Sequence, residues 1–324
     1  MREEKHWSTQ KEQAAGYWHF KIMLFMFKYM PVLLLRLVAF PVSLCYYLFS
    51  RRAREESRRY LDKVRPVLAP GTKISPYLHI LSFSFALIEK IEAWGGRVRL
   101  ERIDFQDDDV GDLVARLERR EGALLLCSHL GNVELLRALA TFNQTSVTII
   151  VDFSVTAAFN RMLNELEPRA MVRLISVNDI GPETVSLLQE RLAAGELVGI
   201  AGDRTSLQTR HQRLSLNFLG TVAPFPYGPF FLAALLNVPV YALFAPRRKD
   251  IALSARYEMH VHKSPLSFDC PRKERNVRIT ELARFFVAHL EHYCKKHPLQ
   301  WYNFYDFWEQ FQEEEDHDKR RDRI

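Results

Sequence analysis

Short apolar runs and longer helical patterns alternate along the chain from residue 123 onwards. Short runs bounded by turn residues are typical of buried β-strands, and apolar residues that recur every three or four positions are typical of helices facing a core. The predicted strands cover residues 123–127, 147–153, 173–177, 197–201, 238–245 and 257–262, and the predicted helices cover residues 159–166, 182–194, 226–236 and 280–293. This alternation predicts an α/β fold with a mixed, mostly parallel sheet flanked by helices.

The amino-terminal part has a different pattern, because residues 17–50 are strongly apolar and aromatic. Lys21, Lys28 and Arg36 interrupt this stretch, so its longest uncharged part, residues 37–50, is shorter than the ~20 residues that span a bilayer. The stretch also lacks the small-residue cleavage site of a signal peptide. It is interpreted as neither a clean transmembrane helix nor an ordinary signal peptide.

Basic side chains flank the apolar stretch and continue behind it in the segment RRAREESRRYL. Apolar helices with cations at both ends are typical of segments that lie in a membrane interface on the anionic cytoplasmic face. We predict such helices here, broken into pieces at Pro31 and Pro41. The alternative is a helical hairpin packed on the domain's own core. Further helices are predicted over residues 60–96.

A strand, a turn and a helix are predicted in succession in the segment LLLCSHLGNVELL, residues 124–136. His129 is expected at the end of the strand and Glu134 in the first helical turn, with a bend at Gly131 that brings the carboxylate back towards the imidazole. A histidine with a carboxylate partner is a general base whose tautomer and orientation are fixed by hydrogen bonding. The alternative is that His129 is a polar turn residue and Glu134 only favours the helix dipole.

A second polar cluster, GDRT at residues 202–205, follows the predicted strand 197–201. Ligands of open α/β sheets bind beyond the carboxyl ends of strands, and His129 lies at such an end as well. Asp203 and Arg204 could pair with each other at a turn. Arg204 could instead bind a phosphate or face the charge that develops on a thioester oxygen.

Charge and composition narrow the choice of partners. A net charge of +6 suits an anionic partner such as a phospholipid surface, an acidic carrier protein or nucleic acid. Zinc-finger, RNP-like and base-reading patterns are not recognised, so nucleic acid is the least favoured of these. The 4 cysteines form no CxxC pair, which argues against a zinc site or a disulfide framework. The acidic run 107–109 is interpreted as a solvated turn that caps a helix at 113–120 rather than as a metal site.

The run His-Leu-Gly-Asn-Val-Glu, from His129 to Glu134, resembles the His-x4-Asp/Glu signature of the lysophospholipid acyltransferase superfamily. It resembles in particular the His-Phe-Gly-Asn-Trp-Glu form found in bacterial lipid A acyltransferases. The turn at 202–205 and the segment NFLGTVAPFPYGP at 217–229 look like the second and third conserved blocks of that family. The ending PLQWYNFYDFW at 298–308 resembles a subgroup of predicted acyltransferases related to the lipid A enzymes.

Some positions depart from the lipid A pattern. Leu130 and Val133 stand where those enzymes commonly have aromatic residues, and Arg204 stands where they usually have Gln. These departures leave open whether the acceptor is lipid A. In the third block, Gly220 and the prolines that follow it predict a tight loop ahead of an apolar helix.

The resemblance implies a glycerol-phosphate acyltransferase-like fold and a membrane-associated enzyme on the cytoplasmic face of a bacterial inner membrane. The enzyme would move a fatty acyl group from acyl carrier protein or coenzyme A to a hydroxyl of a lipid or glycolipid acceptor. His129 would act as general base with Glu134 holding its imidazole, without an acyl-enzyme, a metal or a bound organic cofactor. Ser128 and Cys127 are disfavoured as covalent nucleophiles, because a residue adjacent to His129 is badly placed to donate a proton to it.

Further positions complete the expected site. The backbone N–H groups of Gly131 and Asn132, supplemented by Arg204, are expected to bind the oxyanion. Asp203 and Gly220 are counted with the substrate-binding positions because they fall in the resembling blocks.

Two further functions stay open: a lipid or thioester hydrolase that uses the same dyad with water, and a non-catalytic membrane-binding protein. The basic clusters 247–249 and 272–273 could dock an acidic carrier protein, although each is interpreted as an ordinary solvated loop. The predicted organisation is a membrane-associating helical segment at residues 1–60, an acyltransferase domain at residues 61–308 and a charged tail at residues 309–324.

Overall fold

The computed structural model describes residues 29–94, 98–106, 109–136, 145–152, 172–204, 212–305 and 307–308. The strands are β1 (Ile103–Phe105), β2 (Ala123–Cys127), β3 (Val147–Val151), β4 (Val172–Ser176), β5 (Leu197–Ala201), β6 (Arg213–Phe218), β7 (Thr221–Pro226), β8 (Val240–Phe244) and β9 (Tyr257–Lys263). One seven-stranded sheet has the order β1-β9-β8-β2-β5-β3-β4. Its neighbouring strands are parallel except β8 and β9. The predicted mixed, mostly parallel sheet is confirmed.

Helices flank this sheet on both faces. The described helices are α1 (Val32–Phe49), α2 (Arg51–Val64), α3 (Pro76–Trp94), α4 (Asp109–Glu118), α5 (Pro182–Ala193), α6 (Gly228–Leu236) and α7 (Arg275–Lys296). Alternate residues of β2 point into two apolar clusters, one shared with α2, α5, α6 and α7 and the other with α4. The predicted α/β layering is therefore confirmed, and the helix predicted at 159–166 lies outside the described residues.

The tight loop predicted around Gly220 is a β-hairpin. β6 and β7 pair antiparallel along their whole length, and Leu219 and Gly220 connect them with φ angles of 50° and 77°. Two-residue hairpin turns favour such positive φ values. Pro224 and Pro226 are tolerated in β7 because, within the described ranges, β6 is its one partner strand, so the missing N–H groups break no second ladder there. The loop prediction was right for the turn and wrong for the strands on either side.

From Val32 to Phe49 the apolar amino-terminal stretch forms one continuous helix, so the predicted break at Pro41 is wrong. Pro31 precedes α1 as its N-cap residue, and Pro41 lies inside the helix. One stripe of α1, which includes Leu35, Ala39 and Ser43, is buried, and the Ser43 hydroxyl lies 2.8 Å from a serine hydroxyl of α3. Packing along this stripe supports the helix where proline removes one of its hydrogen bonds.

The charge of Arg36 is directed into the molecule and does not interrupt the outer face of α1. Its side chain is 1% exposed, with Nη2 lying 3.3 Å from Glu89 Oε1 and 3.2 Å from Glu92 Oε2, both on α3. The outer face of the helix is apolar throughout. Its large exposed side chains are Leu33, Leu34, Leu37, Val42, Leu44, Tyr46, Leu48 and Phe49.

Helix α2 is amphipathic and crosses the division predicted between residues 60 and 61. Its buried face joins the main apolar cluster through Tyr60, Leu61 and Val64. Its exposed face carries a group of arginines, Arg51, Arg52, Arg58 and Arg59. The amino-terminal helices therefore pack on the sheet domain and at the same time present an apolar and a basic surface. The predicted tail at residues 309–324 lies outside the described residues.

Candidate functional site

Two adjacent parallel strands bring His129 and Asp203 together. β2 and β5 run in register, with Cys127 opposite Ala201 at their carboxyl ends. His129 and Asp203 each follow two residues after these strand ends, and the Gly202 N–H donates to the Cys127 carbonyl at 2.8 Å. Because the carboxyl ends of parallel strands meet at one edge of a sheet, the two polar turns meet there too.

The Asp203 carboxylate binds His129 at two points. Nδ1 of His129 lies 2.8 Å from Asp203 Oδ1, and the His129 backbone N–H donates to Oδ2, also at 2.8 Å. The Asp203 side chain is 0% exposed, whereas that of His129 is 30% exposed. An ionised carboxylate only accepts hydrogen bonds, so Nδ1 carries the proton and Nε2 keeps a lone pair. This is the arrangement of a general base.

Electrostatics keep the imidazole neutral and the carboxylate charged. Burial, with a further contribution from Arg204, lowers the pKa of His129 to about 4, although Asp203 acts in the opposite direction. Burial acts to raise the pKa of Asp203, but the charge and hydrogen bonds of His129 outweigh it and hold that pKa below its usual value. At neutral pH the pair is a neutral imidazole beside a carboxylate, the form that can accept a proton.

The imidazole contacts Asp203 rather than Glu134, to which the sequence pattern assigned that contact. Glu134 lies in a turn before the helical residues 135 and 136, and its N–H donates to Asn132 Oδ1 at 3.2 Å. In the described part of the chain no hydrogen bond joins Glu134 to His129. The bend at Gly131 turns the chain without folding this carboxylate back onto the ring. A catalytic role for Glu134 stays a prediction.

The backbone N–H groups expected to bind an oxyanion are already hydrogen bonded. The Gly131 N–H donates to the Gln300 carbonyl and the Asn132 N–H to the Ala245 carbonyl, both at 2.9 Å. Gly131 has a φ of 72°, and a Cβ there would overlap the Ala245 carbonyl oxygen, so this position requires glycine. An oxyanion would therefore need another donor. The buried Nδ2 of Asn132, which has no hydrogen-bond partner among the described residues, is one candidate.

Arg204 points towards the aromatic carboxyl-terminal segment. Its Nη2 donates to the Tyr302 carbonyl at 2.6 Å, and its Cζ lies 5.9 Å from the ring centroid of Tyr305. The described hydrogen bonds of Asp203 do not include one from Arg204, the turn contact considered from the sequence, although the charge of Arg204 contributes to the low pKa of Asp203. The cation contributes to the low pKa of His129, so it is close enough to act on a charge that forms beside the base.

Gly220 lies at the exposed tip of the β6–β7 hairpin, where its positive φ closes the turn. A Cβ placed on Gly220 would meet nothing within 4 Å, so the residue is not enclosed by the site. The neighbouring Phe218 is buried, and its ring packs edge-on against Trp301 with 5.2 Å between centroids. The hairpin thus supports the site through Phe218, and a substrate-binding role for Gly220 stays a prediction.

Residues 300–302 belong to the site, which sequence reasoning missed. The Trp301 Nε1–H donates to Asp203 Oδ2 at 2.9 Å, across 98 positions of sequence. The Tyr302 N–H donates to the His129 carbonyl at 3.1 Å. The aromatic run was interpreted as packing alone, because no local pattern reveals the partner of an indole N–H so far along the chain. Its place in the resembling carboxyl-terminal block was the one available signal.

Arg247, the first residue of the basic cluster 247–249, is a buried structural cation. It is 1% exposed, and its guanidinium lies 2.9 Å from Glu89 Oε2 and 3.0 Å from the Tyr302 hydroxyl. Both interpretations of this residue, as a solvated side chain or as a carrier-docking one, are therefore wrong. Its neighbours Arg248 and Lys249 are exposed, as are Arg272 and Lys273. Arg247 links α3 to the segment that carries Trp301.

The structure offers no support for a covalent nucleophile next to His129. Cys127 is buried, and burial raises the pKa of its thiol far above the usual value. The Ser128 hydroxyl accepts the Leu130 N–H at 3.2 Å, and neither side chain is hydrogen bonded to His129 in the described ranges. Within those ranges no group of three or more His, Cys, Asp or Glu side chains could hold a metal ion.

Comparison with known families gives a match over most of the chain. The model of the family described as bacterial lipid A biosynthesis acyltransferase matches residues 2–310. The matched range contains His129, Asp203, the β6–β7 hairpin and Trp301. No curated protein matches the chain.

Proposed function

Because the chain belongs to the bacterial lipid A biosynthesis acyltransferase family, we propose that it transfers a fatty acyl group from an acyl thioester to a hydroxyl of a lipid or glycolipid acceptor. The observation that carries this proposal is the hydrogen-bonded pair of His129 and Asp203 at the carboxyl edge of the sheet. Such a pair activates a hydroxyl that the acceptor brings, so the protein needs no nucleophile of its own. The donor would be acyl carrier protein or coenzyme A.

Nε2 of His129 takes the proton of the acceptor hydroxyl while its oxygen attacks the thioester carbonyl carbon. Asp203 stabilises the imidazolium that forms, and the carbonyl oxygen becomes an oxyanion. The carbon–sulfur bond then breaks, and the departing thiolate takes the proton from the imidazolium. The products are the acylated acceptor and a free thiol, and His129 returns to its neutral form.

The oxyanion needs groups other than the N–H groups of Gly131 and Asn132, which are engaged by carbonyls. We assign this role to the side-chain amide of Asn132, supplemented by the positive charge of Arg204, whose Nη2 donates to the Tyr302 carbonyl. A guanidinium beside the base is worth more here than in water, because the site is partly buried, with the Asp203 side chain 0% exposed and that of His129 30% exposed. Arg204 could alternatively hold a phosphate of the acceptor.

We also propose that the protein associates with the cytoplasmic face of the bacterial inner membrane through α1 and α2. In the described part of the chain, α1 is the one helix long and apolar enough to cross a membrane by length and composition. Its inner stripe packs on α3, and Arg36 binds Glu89 and Glu92 inside the protein. A helix held on one side by protein suits a position in the interface, with its apolar side in the lipid and the α2 arginines at anionic headgroups.

Lipid profiling tests the proposed function. Cells lacking the gene would be complemented at matched protein levels with the wild type, with His129→Ala, or with His292→Ala, which changes an exposed histidine of α7. We expect the wild type and His292→Ala to restore a lipid that carries one more acyl chain, and His129→Ala to fail. The mass of that lipid identifies the acceptor.

Other outcomes of this experiment would support the remaining functions. If His129→Ala restores the same profile, His129 is not a catalytic base and a non-catalytic membrane-binding protein becomes the better account. If the wild type adds no acyl chain but purified protein releases fatty acid from an acyl thioester, the protein is a hydrolase with water as acceptor.

A further inference from the structure

We propose that Trp301 is a positioning residue whose indole N–H fixes the Asp203 carboxylate in the orientation and charge state that His129 requires. This inference rests on the proposed function, because it assigns a role within the same catalytic pair. It concerns an aromatic residue of the carboxyl-terminal run, to which packing alone was assigned from the sequence.

The Asp203 carboxylate has three described hydrogen-bond donors. Oδ1 accepts from Nδ1 of His129, and Oδ2 accepts both the His129 backbone N–H and the Trp301 Nε1–H, the last at 2.9 Å. The carboxylate is 0% exposed. Of these donors, the indole is the one that does not belong to His129. It therefore restrains the orientation of the carboxylate independently of the hydrogen bonds that His129 makes.

Trp301 is itself held firmly enough to act in this way. It forms an antiparallel β-bridge with Leu130, flanked by the Gly131 N–H to the Gln300 carbonyl and the Tyr302 N–H to the His129 carbonyl. The Trp301 carbonyl lies 2.9 Å from Nε2 of His79. The backbone of Trp301 thus pairs with the turn that carries His129, while its side chain binds Asp203. The same segment therefore contacts both members of the catalytic pair.

The indole ring is enclosed by other aromatic rings. Trp301 is 1% exposed, and its ring centroid lies 5.1 Å from that of Tyr60, 5.2 Å from that of Phe218 and 5.3 Å from that of Phe307. An enclosed ring has few alternative rotamers, so its N–H keeps its direction while the pair takes up and releases a proton.

A second indole in the same cluster provides a matched control. The ring of Trp308 lies 6.1 Å from that of Trp301, and its buried Nε1 has no hydrogen-bond partner among the residues that the structure describes. Both tryptophans contribute aromatic packing, but the bond to Asp203 belongs to Trp301. A role in packing alone would make the two residues equivalent, whereas a positioning role separates them.

The charged and titratable groups around the pair are defined. Arg204 and Lys90 act on His129 in the same direction, each lowering its pKa. Cys127, Cys294 and Tyr305 are buried, and the pKa of each is raised, so they stay neutral over the working range of pH. The fall in the rate of acyl transfer at low pH therefore reports proton uptake by His129 and Asp203 as a coupled pair.

Loss of the indole donor should shift the apparent pKa of the pair in one direction. The donor stabilises the deprotonated, negatively charged pair more than the protonated, neutral one, so its removal raises the apparent pKa of the pair. A hydrogen bond to a buried charge implies a shift of roughly one pH unit. We expect kcat to fall about tenfold because the carboxylate loses one of its restraints. The KM for the acceptor should stay the same, because Trp301 acts through Asp203.

The experiment compares Trp301→Phe with Trp308→Phe in the full-length protein. Acyl transfer to the acceptor identified by lipid profiling is measured against pH, together with the melting temperature of each variant. We expect the acidic midpoint of the pH–rate profile to move to higher pH, and kcat to fall, in Trp301→Phe alone. The proposal would be overturned if the two variants had the same acidic midpoint in their pH–rate profiles. Equal loss of kcat with equal loss of melting temperature would also overturn it.

Two further measurements keep the outcome decisive. If Trp301→Phe fails to fold, residue 301 is replaced by benzothienylalanine, which keeps the bicyclic shape and lacks the N–H; a wild-type pH profile for that protein refutes the proposal. The pKa of His129 is also followed by NMR on protein labelled at histidine, which requires no turnover. If His129→Ala retains activity, the proposed function fails, whereas an unmoved His129 titration in Trp301→Phe defeats the positioning role separately.

Discussion

His129 and Asp203 lie 74 positions apart in the chain, and Nδ1 of one is 2.8 Å from Oδ1 of the other. Their chemistry comes from their surroundings. Burial and the cation of Arg204 keep the imidazole neutral, while the hydrogen bonds of His129 keep the buried carboxylate charged. A neutral histidine with a fixed tautomer is ready to accept a proton, and its low resting pKa sets the acidic limit of activity.

The pH profile of kcat/KM for acyl transfer should reflect this environment. His129 must be neutral, so activity is present above its pKa and is lost as pH falls through about 4. We expect a flat profile from about pH 7 to about pH 5 and a loss governed by one proton below that. Circular dichroism at each pH separates this loss from unfolding. A midpoint near 6.5, the value of an ordinary exposed histidine, would contradict the account.

Gly131 should tolerate no side chain. In Gly131→Ala the Cβ would overlap the Ala245 carbonyl oxygen at a φ of 72°, which disrupts the turn after His129. We expect a loss of about 3 kcal/mol in the free energy of unfolding, measured with urea, together with loss of acyl transfer. Gly71→Ala is the matched control, because Gly71 has a φ of 85° with nothing within 4 Å of a Cβ. Its cost should be about 1 kcal/mol, with activity retained. Equal costs for the two variants would show that the overlap relaxes.

The elements were predictable where their signals are local. Apolar runs placed β2 and β5 at their observed ends and β3, β4, β8 and β9 within about two residues of theirs. The hairpin was missed because Pro224 and Pro226 are typical of loops, and an edge strand is defined by its partner rather than by its own residues. Helix α1 was expected to break at Pro41 because proline's effect is local, whereas packing on α3 is not. Arg36 illustrates the same limit, since its buried partners lie on another helix.

The outer face of α1 should control membrane binding. Leu37→Glu combined with Leu44→Glu places two charges on the outer face of α1. The two leucine side chains are 47% and 45% exposed, so they lie outside the buried core. We expect binding to vesicles that contain anionic phospholipid to fall at least about tenfold in flotation assays, with an unchanged melting temperature. The control is Leu187→Glu combined with Val277→Glu, which changes exposed apolar side chains of α5 and α7. Equal binding by both double variants would show that α1 does not contact the lipid.

Contacts from several parts of the molecule meet near the carboxyl ends of the central strands. Tyr60 of α2 packs against Trp301, Glu89 of α3 binds Arg247, and the segment at 300–302 pairs with the turn after β2. Helix α2, one of the two helices proposed to lie at the membrane, therefore contacts the segment that supports the catalytic pair. Sequence reasoning found His129 and the turn that carries Asp203, but not their contact. That contact depends on the register of β2 against β5, which no stretch of sequence encodes alone.

The measurement that tests the account most directly is the rate of acyl transfer by Asp203→Asn, compared with wild type and with Glu134→Gln at matched protein levels. The asparagine keeps the shape of the side chain but removes the charge that fixes the tautomer of His129. We expect kcat to fall about 10³- to 10⁴-fold, and Glu134→Gln to lose less because Glu134 is not hydrogen bonded to the ring. If Asp203→Asn stays within about threefold of wild type while Glu134→Gln is inactive, the imidazole is oriented by Glu134 and the proposed pair is wrong.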